Sequence, residues 1–314
     1  MGKLDGELDG TTERLIIVRS HPRSLIRSVR AVLVAGSVSL AGALVAGCGD
    51  EITPSTDPST TVPTTHSLPT GPDDVVLRVE WQGGFMPIEQ IQRRLPNLLV
   101  TGDGRVFLPA AVAEIYPGPL VMPVTVGSID AVGLAAIVRA AEEAGLLGEV
   151  PNYELPPGIG IADAATTVVT ITVDGVTRVH AAYALGLGAD DTPARQRLAT
   201  FVSLVGDLPT LVGAEHLGEQ SIYEPDAYRV LAMPADPSGY GEPRPTVRPW
   251  PTDTGVRLAD LTGCRVVDAA AVGALFAESN ELTFFTEEGT DGVTTVYRLG
   301  VGPRLPGESG CFEP

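Results

Sequence analysis

Ser128-Ile-Asp-Ala-Val-Gly-Leu-Ala-Ala-Ile-Val-Arg-Ala-Ala-Glu-Glu-Ala-Gly145 is the stretch that decides the fold class. Ile129, Val132, Ala136, Ile137, Ala140, Ala141 and Ala144 recur at helical spacing, with Ser128 placed as N-cap, Asp130 in the first turn and Gly145 as the C-terminal glycine. Leu134 and Val138 widen the apolar face and leave Arg139, Glu142 and Glu143 for water, which predicts a helix lying across a sheet. The flanking sequence supplies that sheet. Downstream, residues 167–173 and 176–183 are rich in valine, isoleucine and threonine and are joined by Asp174-Gly175, a two-residue hairpin turn. The simplest register sets Arg178 near Ile171 and His180 near Val169, which leaves neither face cleanly apolar unless a bulge shifts it. Upstream, residues 98–101 and 105–108 flank Gly102-Asp103-Gly104, and a two-residue Asp-Gly turn sets Val100 opposite Phe107. Val76, Leu77, Val79 and Trp81 form an earlier strand, and Tyr116-Pro117-Gly118-Pro119 turns the chain into another at 120–126.

Further along, Thr192-Pro193 opens a second helix with Leu198, Phe201, Val202 and Val205 on its buried side and Gly206 near its end. Residues 228–233 read as a strand. The prolines at 234, 237, 243, 245, 249 and 251 then forbid regular structure. Cys264-Arg265-Val266-Val267 leads into a short helix capped by Asp268 with Val272, Leu275 and Phe276 inward, and a third hairpin joins 282–286 to 293–299. The expected fold is therefore α+β, with small antiparallel sheets of hairpins packed by helices. Strand, helix and hairpin occur twice in order, at 120–183 and 228–299, an order compatible with two diverged β-α-β-β subdomains. The expected division is an α+β subdomain at 75–233, a proline-rich connector at 234–253 and a C-terminal α+β subdomain at 254–314.

The first 74 residues have a different character. Residues 31–47 contain only alanine, valine, leucine, glycine and serine, and Arg19, Arg23, Arg27 and Arg30 precede them as a positive n-region. Gly36, Ser37, Ser39 and Gly42 make this run thin for a permanent span, which needs about 20 apolar residues. It ends in Leu44-Val45-Ala46-Gly47-Cys48, which resembles the lipobox of bacterial lipoproteins. The resemblance implies that residues 1–47 are a signal peptide and that Cys48 is the first residue of the exported chain. Its sulfur then carries a diacylglyceryl group and its amino terminus a further acyl chain such as palmitate. Two chains hold a protein on a bilayer where one lets go, so the implied location is the extracytoplasmic face of the cell membrane, lipid-anchored. The alternative is an uncleaved N-terminal anchor helix with a buried cysteine. Lys3 is the only lysine, and the alanine-, glycine-, proline- and arginine-rich usage is similar to that of lipoproteins of high-GC Gram-positive bacteria. Residues 48–74 form a threonine-, serine- and proline-rich linker, a flexible tether reaching about 80 Å if extended, similar to O-glycosylated stalks.

Without residues 1–47 the 21 basic and 39 acidic side chains fall to 15 and 35, a net charge of −20. Such a surface repels phosphate backbones, so no nucleic-acid partner is expected. With Cys48 committed to lipid, Cys264 and Cys311 remain as an even pair in an oxidising compartment, and a disulfide is expected. It would close a loop of about 48 residues and contribute about 4 kcal/mol on the chain-entropy model. Two thiols so far apart, with no histidine between them, make a poor metal-ligand set.

Chemistry is harder to find. G-x-S-x-G, S-x-x-K and H-E-x-x-H are absent from the sequence. His66 falls in the tether, His180 in a strand and His216 in a loop. Residues 287–291 lack the alternating carboxylates of a calcium loop. The glycine pairs Gly158/Gly160 and Gly186/Gly188 have no lysine to complete a phosphate cradle. Trp81 and Trp250 read as core or connector packing. Residues 240–251, with Arg244, Arg248 and Trp250 among prolines, suit either docking into a partner's aromatic groove or a strap along their own domain. No catalytic, cofactor-binding or metal-binding residue is assigned. The expected function is that of a non-enzymatic binding or envelope-assembly lipoprotein with a protein or cell-wall partner. The alternatives are a carboxylate-dependent cell-envelope hydrolase, whose paired acids leave no motif, and a structural spacer.

Overall fold

The computed structural model of the chain describes residues 65–187 and 191–312. The leader, Cys48 and the linker up to residue 64 lie outside the described residues. Among those described, strands form two sheets. The first comprises β1 (Val75–Gln82), β2 (Leu98–Thr101), β3 (Arg105–Pro109), β4 (Val124–Ser128), β5 (Thr166–Val173), β6 (Val176–Tyr183) and the two-residue β7 (Ser221–Ile222), in the order β6-β5-β1-β2-β3-β4-β7. The second comprises β8 (Ala227–Pro234), β9 (Thr246–Pro249), β10 (Arg265–Asp268), β11 (Thr283–Glu288) and β12 (Thr294–Pro303), in the order β10-β8-β12-β11-β9. All pairings are antiparallel except β9 on β11. The helices are α1 (Ile88–Arg93), α2 (Ala131–Glu143), α3 (Pro193–Val205), α4 (Leu208–Val212) and α5 (Ala269–Ala277). The fold is α+β, as the hydrophobic periodicities indicate.

One face of the first sheet buries Val79, Val100, Val169 and Ile171 against Ile137 and Ala141 of α2 and Leu198 and Phe201 of α3. Each large side chain buried this way contributes about 1.5–3 kcal/mol. The cap of α2 is Asp130, which accepts from the backbone N–H groups of Val132 and Gly133 at 2.9 Å each. Ser128 instead ends β4, and Val132 is exposed. Thr192 caps α3 by accepting from the Arg195 N–H. The β5–β6 hairpin keeps the simplest register, Ile171 opposite Arg178 and Val169 opposite His180, through a turn with Asp174 and Gly175 at φ 55° and 71°. His180 therefore enters the core, where Nε2–H donates to the Leu146 carbonyl at 3.0 Å and Nδ1 accepts from the Tyr153 hydroxyl at 2.9 Å. Burial lowers its pKa, which suits a neutral imidazole with both nitrogens satisfied.

The β2–β3 pairing sets Val100 opposite Val106 and Leu99 opposite Phe107, because the loop has three residues with Gly104 at φ 80° rather than two. The strand expected at 120–126 starts at Val124, and Leu120 packs in the core of the second sheet. β8 pairs with β10 and β12, so residues 228–233 belong with the C-terminal part and not with 75–233. The two strand-helix-hairpin stretches sit differently: β4 is separated from β5 by three strands, whereas β8 lies directly beside β12. Within the proline-rich connector, residues 246–249 form the edge strand β9, a position where proline's missing N–H removes no ladder bond.

The described end of the linker, residues 65–74, is part of the packed domain and not free tether. Leu68 packs on the core, and Ser67 donates its N–H to Asp174 at 2.7 Å and accepts the Asp174 N–H through its carbonyl at 2.8 Å. His66 Nδ1 lies 2.8 Å from Asp174 and Nε2 3.6 Å from Glu142. The Asp174 hydrogen bond holds the His66 pKa above its ordinary 6.5, against burial that lowers it, and His66 in turn lowers that of Asp174 from 3.8. Protonated His66 thus stabilises the clasp below pH 6.5, a contribution lost as pH rises through its raised pKa. Ionised Asp174 contributes above pH 3.8, a contribution lost as pH falls through its lowered value. Amide exchange at Ser67, corrected for intrinsic rate, is expected to be slowest between these limits and to speed up at alkaline pH. His66→Gln should abolish the alkaline limb, and an unchanged profile in that variant would refute the clasp.

Candidate functional site

Arg229 on β8 has no exposed surface. It pairs across the sheet with Gly302 of β12 and points to the face on which α1 lies. That contact requires two glycines: a Cβ at residue 300 would stand 2.5 Å from the Glu89 carbonyl oxygen, and one at 302 would overlap that of Gln92. Leu299 and Val301, alternating with them, face the opposite side and its core of Val230, Phe276 and Phe285. The Arg229 guanidinium reaches the carbonyls of Gln92 and Arg94 at the end of α1 and pairs with one oxygen of Glu308. The other Glu308 oxygen accepts from Arg78 of β1 at 2.8 Å, and Arg78 also pairs with Glu80 at 3.0 Å. One carboxylate therefore joins the two sheets.

The charges in this seam are set by competition between burial and pairing. Burial lowers the Arg229 pKa to about 10, with Glu308 opposing the shift and Arg78 and Arg94 adding to it. For Arg78 burial also works against the charge, but Glu308 and Glu80 outweigh it and hold the pKa above its ordinary value. Phe312 roofs the group, its ring centroid 4.0 Å from the Arg229 guanidinium carbon and 4.8 Å from that of Arg94. The Gln92 carboxamide fixes the Phe312 backbone, donating to its carbonyl at 2.7 Å and accepting its N–H at 3.0 Å. The neighbouring Cys311 is bonded to Cys264, with sulfurs 2.03 Å and Cα atoms 6.2 Å apart. The disulfide expected from the cysteine count thus ties down the segment that covers the seam.

A second feature lies at the end of the first sheet. Gln82, Thr166 and Tyr183 stand side by side in register, and the loops beyond them carry exposed apolar side chains. Trp81 is 56% exposed, Phe85 92%, Leu187 67% and Met86 40%. Gly83 and Gly84, at φ 72° and 82°, turn the chain between Trp81 and Phe85, and Gly84 approaches the Asp163 backbone of the adjoining loop. From there the chain enters α1 directly, so this apolar rim is held by β1 on one side and by the seam on the other. Trp81, expected as core or connector packing, is instead more than half exposed at the surface. The His66 clasp lies at the opposite end of β5, eight residues or about 25 Å away.

No protein-family model, curated protein or solved structure matches this chain. Its own residues therefore have to carry the functional reading. Cys48 lies outside the described residues. His216 Nδ1 lies 2.8 Å from Asp130, the cap of α2, and His180 is enclosed in the core. Glu287 accepts from the Leu258 and Ala259 N–H groups at 3.1 Å each and so closes a turn. Trp250 is buried edge-on to Phe285 and donates to the Val256 carbonyl at 2.7 Å, while Arg244 pairs with Glu242 on the surface. Among the described residues no three histidine, cysteine or acidic side chains converge as metal ligands, and no helix is long and apolar enough to cross a membrane. The buried carboxylates Glu80, Glu89 and Glu308 are each engaged by arginine.

Glu308→Ala is expected to destabilise the domain by about 3–5 kcal/mol, because it strips two covered guanidiniums of their shared partner. Urea denaturation reads this directly. Glu242→Ala, which breaks an exposed pair, serves as the control and should leave the midpoint unchanged; equal midpoints for the two variants would contradict the role of the seam.

Proposed function

We propose that this chain is an extracytoplasmic lipoprotein, anchored by lipid on Cys48, whose α+β domain docks a protein partner in the cell envelope through its apolar rim. The observation that carries the reading is Phe85, an aromatic ring 92% exposed at the tip of a loop whose neighbours Trp81 and Met86 are also apolar and exposed. Aromatic side chains and methionine are the residue types enriched in protein interfaces, and a cluster of them at the surface marks an interaction site. The rim lies at the end of the sheet opposite the His66 clasp, where the linker enters. A chain tethered at that entry point presents the rim away from its attachment. A protein partner fits better than a lipid surface, because the net charge of −20 on residues 48 onward disfavours approach to anionic bilayers.

A photo-crosslinking residue at position 85, introduced in the intact cell, is expected to capture a discrete protein adduct, and one at Thr177 beside the clasp is not. Trp81→Ser should abolish the adduct while leaving the domain folded, since more than half of the side chain is exposed. Adduct formation that is equal from both positions, or indifferent to Trp81, would refute docking at the rim. Separately, mass spectrometry of the exported protein should find Cys48 as a lipid-modified amino terminus; retention of residues before 48 would overturn the anchor.

A further inference from the structure

A polar cleft of about 560 Å³ opens beside Glu308, where residues 72–73, the start of β3 and the segment after β12 meet. Pro72, Leu305, Pro306 and the Tyr223 ring are the apolar members of its lining. Leu305 is buried there, and the Tyr223 ring stands edge-on to Phe107 at 5.1 Å. Its walls are preformed. Arg105 donates to the Pro72 carbonyl and to Asp103, each at 2.8 Å. The 304–309 turn is fixed by Glu308, which accepts the Leu305 N–H at 2.9 Å while held by Arg229. At Gly307, with φ 76°, a Cβ would stand 2.5 Å from the Val75 side chain, so that turn is pressed against β1.

Charges on these walls are left over. Arg304, half-buried, and the exposed Asp226 and Asp73 all line the cleft, and none of their side chains has an ion-pair or hydrogen-bond partner among the described residues. Arg304 and Asp226 both act on one atom, the Tyr223 hydroxyl, which donates to the Arg304 carbonyl at 3.3 Å. Burial, then Asp226, raises its pKa, while Arg105 and Arg304 oppose the rise. Opposite charges that share a cleft without neutralising one another are complementary to a ligand that carries both, and the Tyr223 ring and the two prolines of the lining offer contact to the ligand's body.

We propose that this cleft binds a small zwitterion with an apolar body, its carboxylate on Arg304 and its ammonium on Asp226: an amino acid or a short peptide with free ends. The site is independent of the apolar rim and of any partner docked there. Its volume lies within the range of small-molecule sites.

The test is a titration of the ¹⁵N-labelled full chain from residue 48 with the dipeptide Ala-Leu. Saturable amide shifts are expected at Leu305, Gly307 and Ser309, with a dissociation constant in the millimolar range or tighter. Arg304→Gln and Asp226→Asn should each weaken binding by about tenfold or more, the loss of one charge-assisted hydrogen bond. Neither side chain has a partner to lose, so both variants should keep the parent spectrum elsewhere. N-acetylation of the peptide should weaken binding to the parent protein but not further to Asp226→Asn, and amidation should behave likewise with Arg304→Gln. Absent or unsaturable shifts, or blocked peptides that bind as well as the free one, would overturn the proposal.

Discussion

The Glu308 carboxylate is shared by guanidiniums from two different sheets, and the arrangement of the domain follows from that sharing. A charge taken out of water costs several kcal/mol unless it is paired with good geometry. Arg229 has no exposed surface and Arg78 little. Neither sheet can therefore move relative to Glu308 without uncovering or orphaning a cation. The same constraint reaches α1, because Arg229 also holds the carbonyls at its end. Phe312 closes the arrangement from above, with the Cys264–Cys311 bond preventing that residue from drifting away.

Through α1 this buried chemistry bears on the apolar rim proposed to dock a partner. Residues 83–87 run from the last residue of β1 into the first turn of α1, and both ends of that loop are fixed to rigid structure. An exposed aromatic on a loop with fixed ends loses little conformational freedom when it is covered, which favours binding. The cleft beside Glu308 uses the same rigidity, for its wall is the turn that carries the shared carboxylate.

Much of the fold was legible because local patterns agree with global packing. The apolar stripe of α2, the Thr192-Pro193 start of α3 and the Asp174-Gly175 turn all appear where periodicity and turn chemistry put them. The disulfide followed from counting cysteines. The failures have physical reasons. Two- and three-residue loops read alike around Gly102-Asp103-Gly104, and only the left-handed Gly104 separates them. Leu120 resembles a strand residue of the first sheet but is claimed by the second core, a choice made by tertiary contact. The seam left no signal at all, since Arg78, Arg229 and Glu308 are far apart in sequence and each reads singly as an ordinary surface charge. For the rim there was a readable signal, in the apolar residues Trp81, Phe85, Met86 and Ile88 around Gly83-Gly84 with neither helical nor strand period.

The Arg78–Glu308 pair spans 230 positions of the chain. Each sheet has a core of its own, which invites treating the two as separable modules, yet the outer face of the first sheet is finished by residues that come after the last strand of the second. Leu305 covers Leu99, Phe107 and Val124, and Glu308 neutralises Arg78. A fragment ending between β7 and β8 would hold every strand of the first sheet and still present an apolar and charged face to water. The domain is thus indivisible for a reason unrelated to its cores: its closing piece follows the last strand of the second sheet and belongs to both halves.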